Sequence, residues 1–127
     1  MSVYDNALVW FNGPFKAAQH DISIFCSENG LKHQIPEGKR VIADRGYASK
    51  RDAKVLSTPN SNDPVEVRKL KSRARARLES FNEKIKNFRV LSECFRHTLD
   101  DHKLVFEAVC VICQYQQENG LPLFDAA

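Results

Sequence analysis

No stretch of the sequence stays apolar for anything near the ~20 residues that cross a bilayer, so no membrane span is expected. The opening MSVYDNALVWF has neither the basic start nor the long apolar stretch of a secretion signal, which argues against export. Cys26, Cys94, Cys110 and Cys113 lack the spacing of a secreted disulfide framework, and free thiols in a reducing compartment are expected. Internal repeats and low-complexity tracts are missing as well. The net charge is only +3, which by itself points to no partner. What remains is 127 residues, 43% hydrophobic and 28% charged, the profile of one globular domain around one core.

The charge is unevenly distributed. Arg68, Lys69, Lys71, Arg73, Arg75, Arg77, Lys84, Lys86 and Arg89 crowd one window, opposed there only by Glu79 and Glu83. A patch of one sign attracts polyanions and supports salt-sensitive phosphate contacts. The same residues also read as a solvated helix face without a partner.

Along the chain, Asp5-Asn6 is turn chemistry, and the apolar run Ala7–Phe11 after it reads as the return strand of a hairpin, ended by Gly13-Pro14. Asp21 caps or opens a short helix carrying Ile22, Ile24 and Phe25. Residues 28–39 read as loop. Arg40–Ala43 is a buried-strand candidate that delivers Asp44 at its C-terminal end, with Gly46 allowing a sharp exit. Open α/β sheets place their chemistry at such strand ends. Residues 57–64 form a polar loop, and a long helix is expected over about 65–95, with Leu78, Phe81, Ile85, Phe88 and Leu91 on one stripe. A last helix, about 100–118, carries Leu104, Val105, Ala108, Val109, Val111, Ile112 and Tyr115 over a broad apolar face. Asp100 and Asp101 stand at its start and Gly120-Leu-Pro122 after its end.

Asp44 ends a strand and Glu79 lies on the helix that follows, so both can point at one place. Two converging carboxylates repel unless a proton or a cation intervenes. Hard oxygen ligands without clustered Cys or His favour Mg²⁺ or Mn²⁺ over zinc, and phosphodiester cleavage uses carboxylate-held metals of that kind. Arg75, four residues before Glu79, shares its helix face and is placed to pair with it or with a phosphate. An exposed Asp after a strand and an exposed Glu on a helix are also commonplace without any metal.

Four ordered words carry a resemblance. Val9–Phe15 followed by His20–Phe25, then Val41–Tyr47, then Ala74–Asn82 with Lys86, Phe88 and Leu91, and last Phe95–His97, His102, Phe106, Gln114 and Gly120–Phe124 resemble successive segments of a DDE-superfamily endonuclease domain of the Harbinger-type transposase kind. The resemblance runs from about Ala7 to Asp125. It implies an α/β, RNase H-like fold, here partial: a short mixed sheet flanked by helices, with a helical C-terminal half, over one domain spanning 1–127. By matching position Asp44 is the second catalytic acid and Glu79 the third. They would bind Mg²⁺ or Mn²⁺, with Asp21 as a further metal-ligand candidate just past a strand end. The first acid belongs on an earlier strand, so the resemblance implies an N-terminally truncated copy. Little nuclease activity and marginal stability are then expected of the isolated chain. The implied partner is DNA, held by Arg68, Lys69, Lys71, Arg73, Arg75, Arg77, Lys84 and Lys86, and the implied compartment is the nucleus, otherwise the cytoplasm. No helix-turn-helix precedes the domain, so the target sequence is not legible, and a homo-oligomer or a separate DNA-binding partner protein is the further partner expected.

Cys94, His97, His102, Cys110 and Cys113 invite a zinc reading. However, Cys110 and Cys113 sit within an apolar helix at no usual finger spacing, so buried structural cysteines are expected. His97 and His102 read as helix-end or loop residues, and Trp10 and Tyr47 as core or sheet-face aromatics. Two non-enzymatic readings stand beside the nuclease. One is an inactive transposase-derived domain binding DNA or a protein through the 68–89 basic face. The other is a plain interaction domain.

Overall fold

The computed structural model describes residues 1–3, 5, 7–15 and 18–122. Asn6 of the expected turn and Leu123 and Phe124 of the closing word lie outside them. In chain order the elements are α1 (Asp21–Cys26), β1 (Val41–Ile42), β2 (Leu56–Ser57), α2 (Val65–Lys86), α3 (Arg89–Ser92) and α4 (Leu99–Glu118), with 3-10 turns at Leu31–Gln34 and Arg45–Tyr47. The chain divides into two compact units, Phe15–Arg75 and Met1–Pro14 with Ala76–Ala127, the boundary falling within α2.

In the unit Phe15–Arg75, β1 and β2 pair in parallel, Val41 opposite Leu56 and Ile42 opposite Ser57. Among the described residues this two-stranded parallel ladder replaces the mixed sheet expected from the sequence. The polar loop therefore starts one residue later than expected, because Ser57 accepts the Ala43 N–H at 3.1 Å. Parallel strands need a long crossover, and here the connection is held by one side chain. Asp52, only 4% exposed, accepts from Lys32 Nζ at 2.6 Å, from the Ser49 hydroxyl at 3.0 Å and from the Cys26 thiol at 3.6 Å. Its own carbonyl takes the N–H groups of Val55 and Leu56. The end of α1, the turn after β1 and the start of β2 thus share one anchor. Arg40 adds a clamp, its Nη2 donating to the Ala53 and Leu56 carbonyls at 3.0 Å each.

In the unit of Met1–Pro14 and Ala76–Ala127, Phe81 and Ile85 of α2 cluster with Val109, Cys110 and Cys113 of α4, flanked by Met1, Leu8, Phe88, Leu91, Val105 and Phe106. The helix expected over 65–95 stops at Lys86. Phe88 takes an extended conformation (φ −81°, ψ 108°), and α3 restarts at Arg89. That break lets Phe88 and Leu91 pack on the core, whereas Leu78, on the expected stripe, is 47% exposed. Ala7–Phe11 is not a strand: among the described residues it has no ladder partner. The Leu8 N–H donates instead to the Gln114 side chain at 2.7 Å, and Phe11 packs edge-on against Phe106. Helix α4 begins with a capping box in which the Thr98 hydroxyl accepts the Asp101 N–H at 3.2 Å and the Asp101 carboxylate takes the Thr98 N–H. It ends before Gly120, whose φ of 102° only glycine adopts without strain.

Cys110 and Cys113 are 1% and 0% exposed, buried as their apolar surroundings suggested. Burial pushes the Cys110 thiol up to about 11, helped by the neighbouring Cys113 and Glu107, which keeps it unreactive at neutral pH. No helix among the described residues is long and apolar enough to cross a membrane.

Two outcomes are expected. A side chain at Gly30 would run into the backbone carbonyls of Ile24 and Phe25. Gly30→Ala should therefore cost about 1–3 kcal/mol, the range for overpacking, in a urea titration. The Asp52 carboxyl is held below its ordinary value by the Lys32 hydrogen bond, with Ser49, the Lys32 charge and Cys26 adding and burial opposing. A depressed carboxyl stabilises the fold fully above its unfolded value of about 3.9 and loses that contribution as pH falls through its lower folded value. Melting temperature should therefore drop on acidification below that range, and Asp52→Asn should shrink the drop.

Candidate acidic site

Asp44 leaves β1 as the N-cap of the Arg45–Tyr47 turn, its carboxylate accepting the Arg45 N–H at 2.7 Å. This cap, rather than any left-handed glycine, makes the sharp exit: Gly46 is not among the positive-φ residues. The turn closes through Tyr47 N–H to the Asp44 carbonyl at 3.1 Å and Ala48 N–H to the Arg45 carbonyl at 2.9 Å. It swings the Tyr47 ring onto Phe25 of α1, edge to face, with centroids 6.3 Å apart. Because Asp21 opens α1, the same packing brings a second acid to the phenol. Burial raises the Tyr47 pKa above its usual value, and the charges of Asp21 and then Asp44 raise it further.

The Asp52 anchor sets this geometry. Cys26 closes α1 and Ser49 follows the Tyr47 turn by two residues, and both donate to the one buried carboxylate. Sequence reasoning missed Asp52 and Lys32. Nothing local separates Asp52 from its exposed neighbours Arg51 and Ala53, and its burial follows only from how the crossover folds back.

Asp44 is exposed, and its Oδ1 pairs with Arg75 Nη2 at 3.2 Å. Arg75 thus takes Asp44 as its partner, in its own unit, rather than Glu79. At 39% and 62% side-chain exposure such a pair contributes about 1 kcal/mol or less, so a phosphate or a cation can displace it at little cost. Glu79 is exposed on α2, in the other unit. Among the described residues no three His, Cys, Asp or Glu side chains are grouped to hold a metal ion.

The basic residues differ in availability. Arg68, Arg73 and Lys86 are exposed, as is Lys69, which lies 3.3 Å from Glu66. Lys71 faces inward: it is 8% exposed and donates to Asp63 at 2.6 Å and to the Thr58 carbonyl at 2.8 Å, tying the loop before α2 to the helix. Arg77 donates to the Val3 carbonyl and Lys84 to the Leu121 carbonyl at 3.3 Å. The helical spacing that suggested one basic face could not show that several of these cations are engaged by loops distant in sequence.

Residues 2–114 match the family model described as DDE superfamily endonuclease. No curated protein and no solved structure matches the chain.

Tyr47 reports on the acids beside it. In an absorbance titration, the component that disappears in Tyr47→Phe should ionise at higher pH than an ordinary phenol, whose pKa is about 10. Asp21→Asn with Asp44→Asn should bring it part of the way back, because burial remains. A Tyr47 that ignores both substitutions would mean the two carboxylates are not neighbours of the phenol.

Proposed function

The chain belongs to the DDE superfamily endonuclease family, and from that premise we propose that it is a divalent-metal-dependent, transposase-like endonuclease domain acting on DNA phosphodiester bonds. The observation that carries this reading is the placement of Asp44. The residue that the resemblance assigns as the second acid stands, exposed, at the C-terminal end of a parallel strand, with Asp21 sharing its phenol neighbour and Arg75 at hand. The proposal extends to a Harbinger-type origin, to a partial RNase H-like fold over one domain of residues 1–127, and to Glu79 as the third acid.

Donor chemistry fits a hard cation. Mg²⁺ is commonly held by one or two carboxylates, with water and substrate phosphate completing its shell, and Asp21 at the start of α1 and Asp44 at the end of β1 supply hard carboxylate oxygens of that kind. Carried over from the family by matching position, Asp44 and Glu79 are the proposed acids for such an ion, with Asp21 as the further ligand candidate. When bound, it supplies charge neutralisation at the phosphate and a more acidic water. The chain's own part is positional. The capped turn presents Asp44, and Arg75, released from its exposed pair, is free to take a phosphate oxygen. Arg68, Lys69, Arg73 and Lys86 would supply the sequence-independent attraction to the duplex, with nuclear DNA as the natural partner.

A second reading is favoured by the absence, among the described residues, of any three-membered ligand cluster: a transposase-derived domain that binds DNA or a protein without cutting.

Nicking of supercoiled DNA in Mn²⁺ separates the two. Slow cleavage is expected. Asp44→Ala and Glu79→Ala should each lower it by about a hundredfold or more, since even the outer partners of a bound metal are worth about 10- to 100-fold. No metal-dependent nicking, or nicking that survives both substitutions, would sink the nuclease. A readout apart from turnover is the Tyr47 titration, which Mn²⁺ should shift downward only while Asp44 is present. Under the second reading, DNA affinity should still fall steeply with salt. Removing Arg68, Lys69 and Arg73 should flatten the logarithmic slope by about 0.9 for each phosphate no longer neutralised.

A further inference from the structure

Helix α4 is apolar on two opposed sides, and among the described residues only one of them is covered. Val109, Cys110 and Cys113 face the core and are buried. On the other side Leu104, Ala108, Val111 and Tyr115 follow one another at intervals of four, three and four, the spacing of a coiled-coil seam. Leu104 and Val111 are each 65% exposed and Tyr115 is 66% exposed, with Ile112 beside them at 44%. No charged residue interrupts the row. Together these side chains present a patch of several hundred Å², the size at which an exposed apolar surface marks an interaction site.

We infer that this seam pairs antiparallel with the same seam of a second copy of the chain, across a two-fold axis. The intervals read the same in both directions. Reversing one copy therefore sets Leu104 against Tyr115 at both ends and Ala108 against Val111 at both central layers, small against branched. On the flanks Val105 meets Ile112 of the second copy on one side, and Glu107 meets Gln114 of the second copy on the other; the one pair of like charges, Asp101 opposite Glu118 one layer beyond each end of the row, lies among exposed residues where water screens it. A parallel pairing would instead lay the Glu107 carboxylate against Ile112, a desolvation cost that its long 3.9 Å pair with Lys103 offsets little. The arrangement is isologous, as closed two-fold dimers require. Counting both copies and their polar rims, the buried surface reaches about 1,000 Å², the lower bound for a specific interface. This pairing does not depend on the acidic site, and a nuclease-dead chain would form it equally.

Sedimentation equilibrium of the full chain tests it. A species of twice 14.5 kDa that dissociates on dilution is expected. Leu104→Glu with Val111→Glu should raise its dissociation constant by more than about tenfold, because two carboxylates would be buried unpaired, with far-ultraviolet circular dichroism unchanged. For the register, in a Cys94→Ser background, copies carrying Leu104→Cys should form a mixed disulfide with copies carrying Tyr115→Cys. Neither should cross-link readily with itself. A wild-type chain that stays at 14.5 kDa at every concentration overturns the proposal, even if some other protein binds the seam. So does a dimer indifferent to the glutamates, or one that links Leu104→Cys to itself. Because the cysteine variants leave the seam nearly apolar, they decide the matter if the glutamate variant loses its helical signal.

Discussion

A single buried carboxylate organises the half of the molecule that carries the best-placed acid. Asp52 collects an ammonium, a hydroxyl and a thiol from Lys32, Ser49 and Cys26, and its backbone carbonyl opens the route into β2. A buried charge persists only where partners satisfy its lone pairs. Here those partners come from α1, from the turn behind β1 and from the loop between them. The two-residue strands have too few ladder bonds to align the crossover on their own. The polar hub therefore supplies the register that a longer sheet would otherwise supply, and with it the meeting of Asp21, Asp44 and Tyr47.

The other unit is organised differently. Its core is a small apolar cluster in which Cys110 and Cys113 act as compact hydrophobes, and the extended conformation at Phe88 lets a second aromatic reach it. A pair of helices with so few buried residues leaves much apolar surface outside. On α4 that surface is not scattered but aligned. The helix is committed to its core through one face and remains exposed along the opposite one, and this is the physical basis for the proposed pairing with a second copy.

Chemistry and architecture meet at Asp44. The proposed metal role asks for an acid that is exposed yet held in place, and capping meets both: Asp44 Oδ1 accepts the N–H of Arg45, and the same oxygen pairs with Arg75. A carboxylate held in this way is the local preorganisation that the proposed hydrolytic site needs. The weakness of the exposed Asp44–Arg75 pair would let both groups be reassigned to a cation and a phosphate under the proposed function.

The sequence by itself determined the local elements whose causes lie within a few residues. These were the short helix opened by Asp21, the strand that ends at Asp44, the last helix with its acidic start and glycine exit, the burial of Cys110 and Cys113, and the family carried by four ordered words. Periodicity also located α2, but it ran past Lys86 because a helical repeat does not register a backbone break made to suit a distant core. The strand assigned to Ala7–Phe11 failed for a related reason: β propensity is realised only when a partner strand is present. Only the tertiary structure decided which charges are engaged. Asp52, Lys71 and Arg75 look like their surface neighbours in the chain, and each gains a role from a partner at a distance that local patterning does not encode. Burial and pairing of polar groups are properties of the fold as a whole, whereas capping, alternation and turn chemistry are properties of neighbours, and the division between what was legible and what was not follows that line.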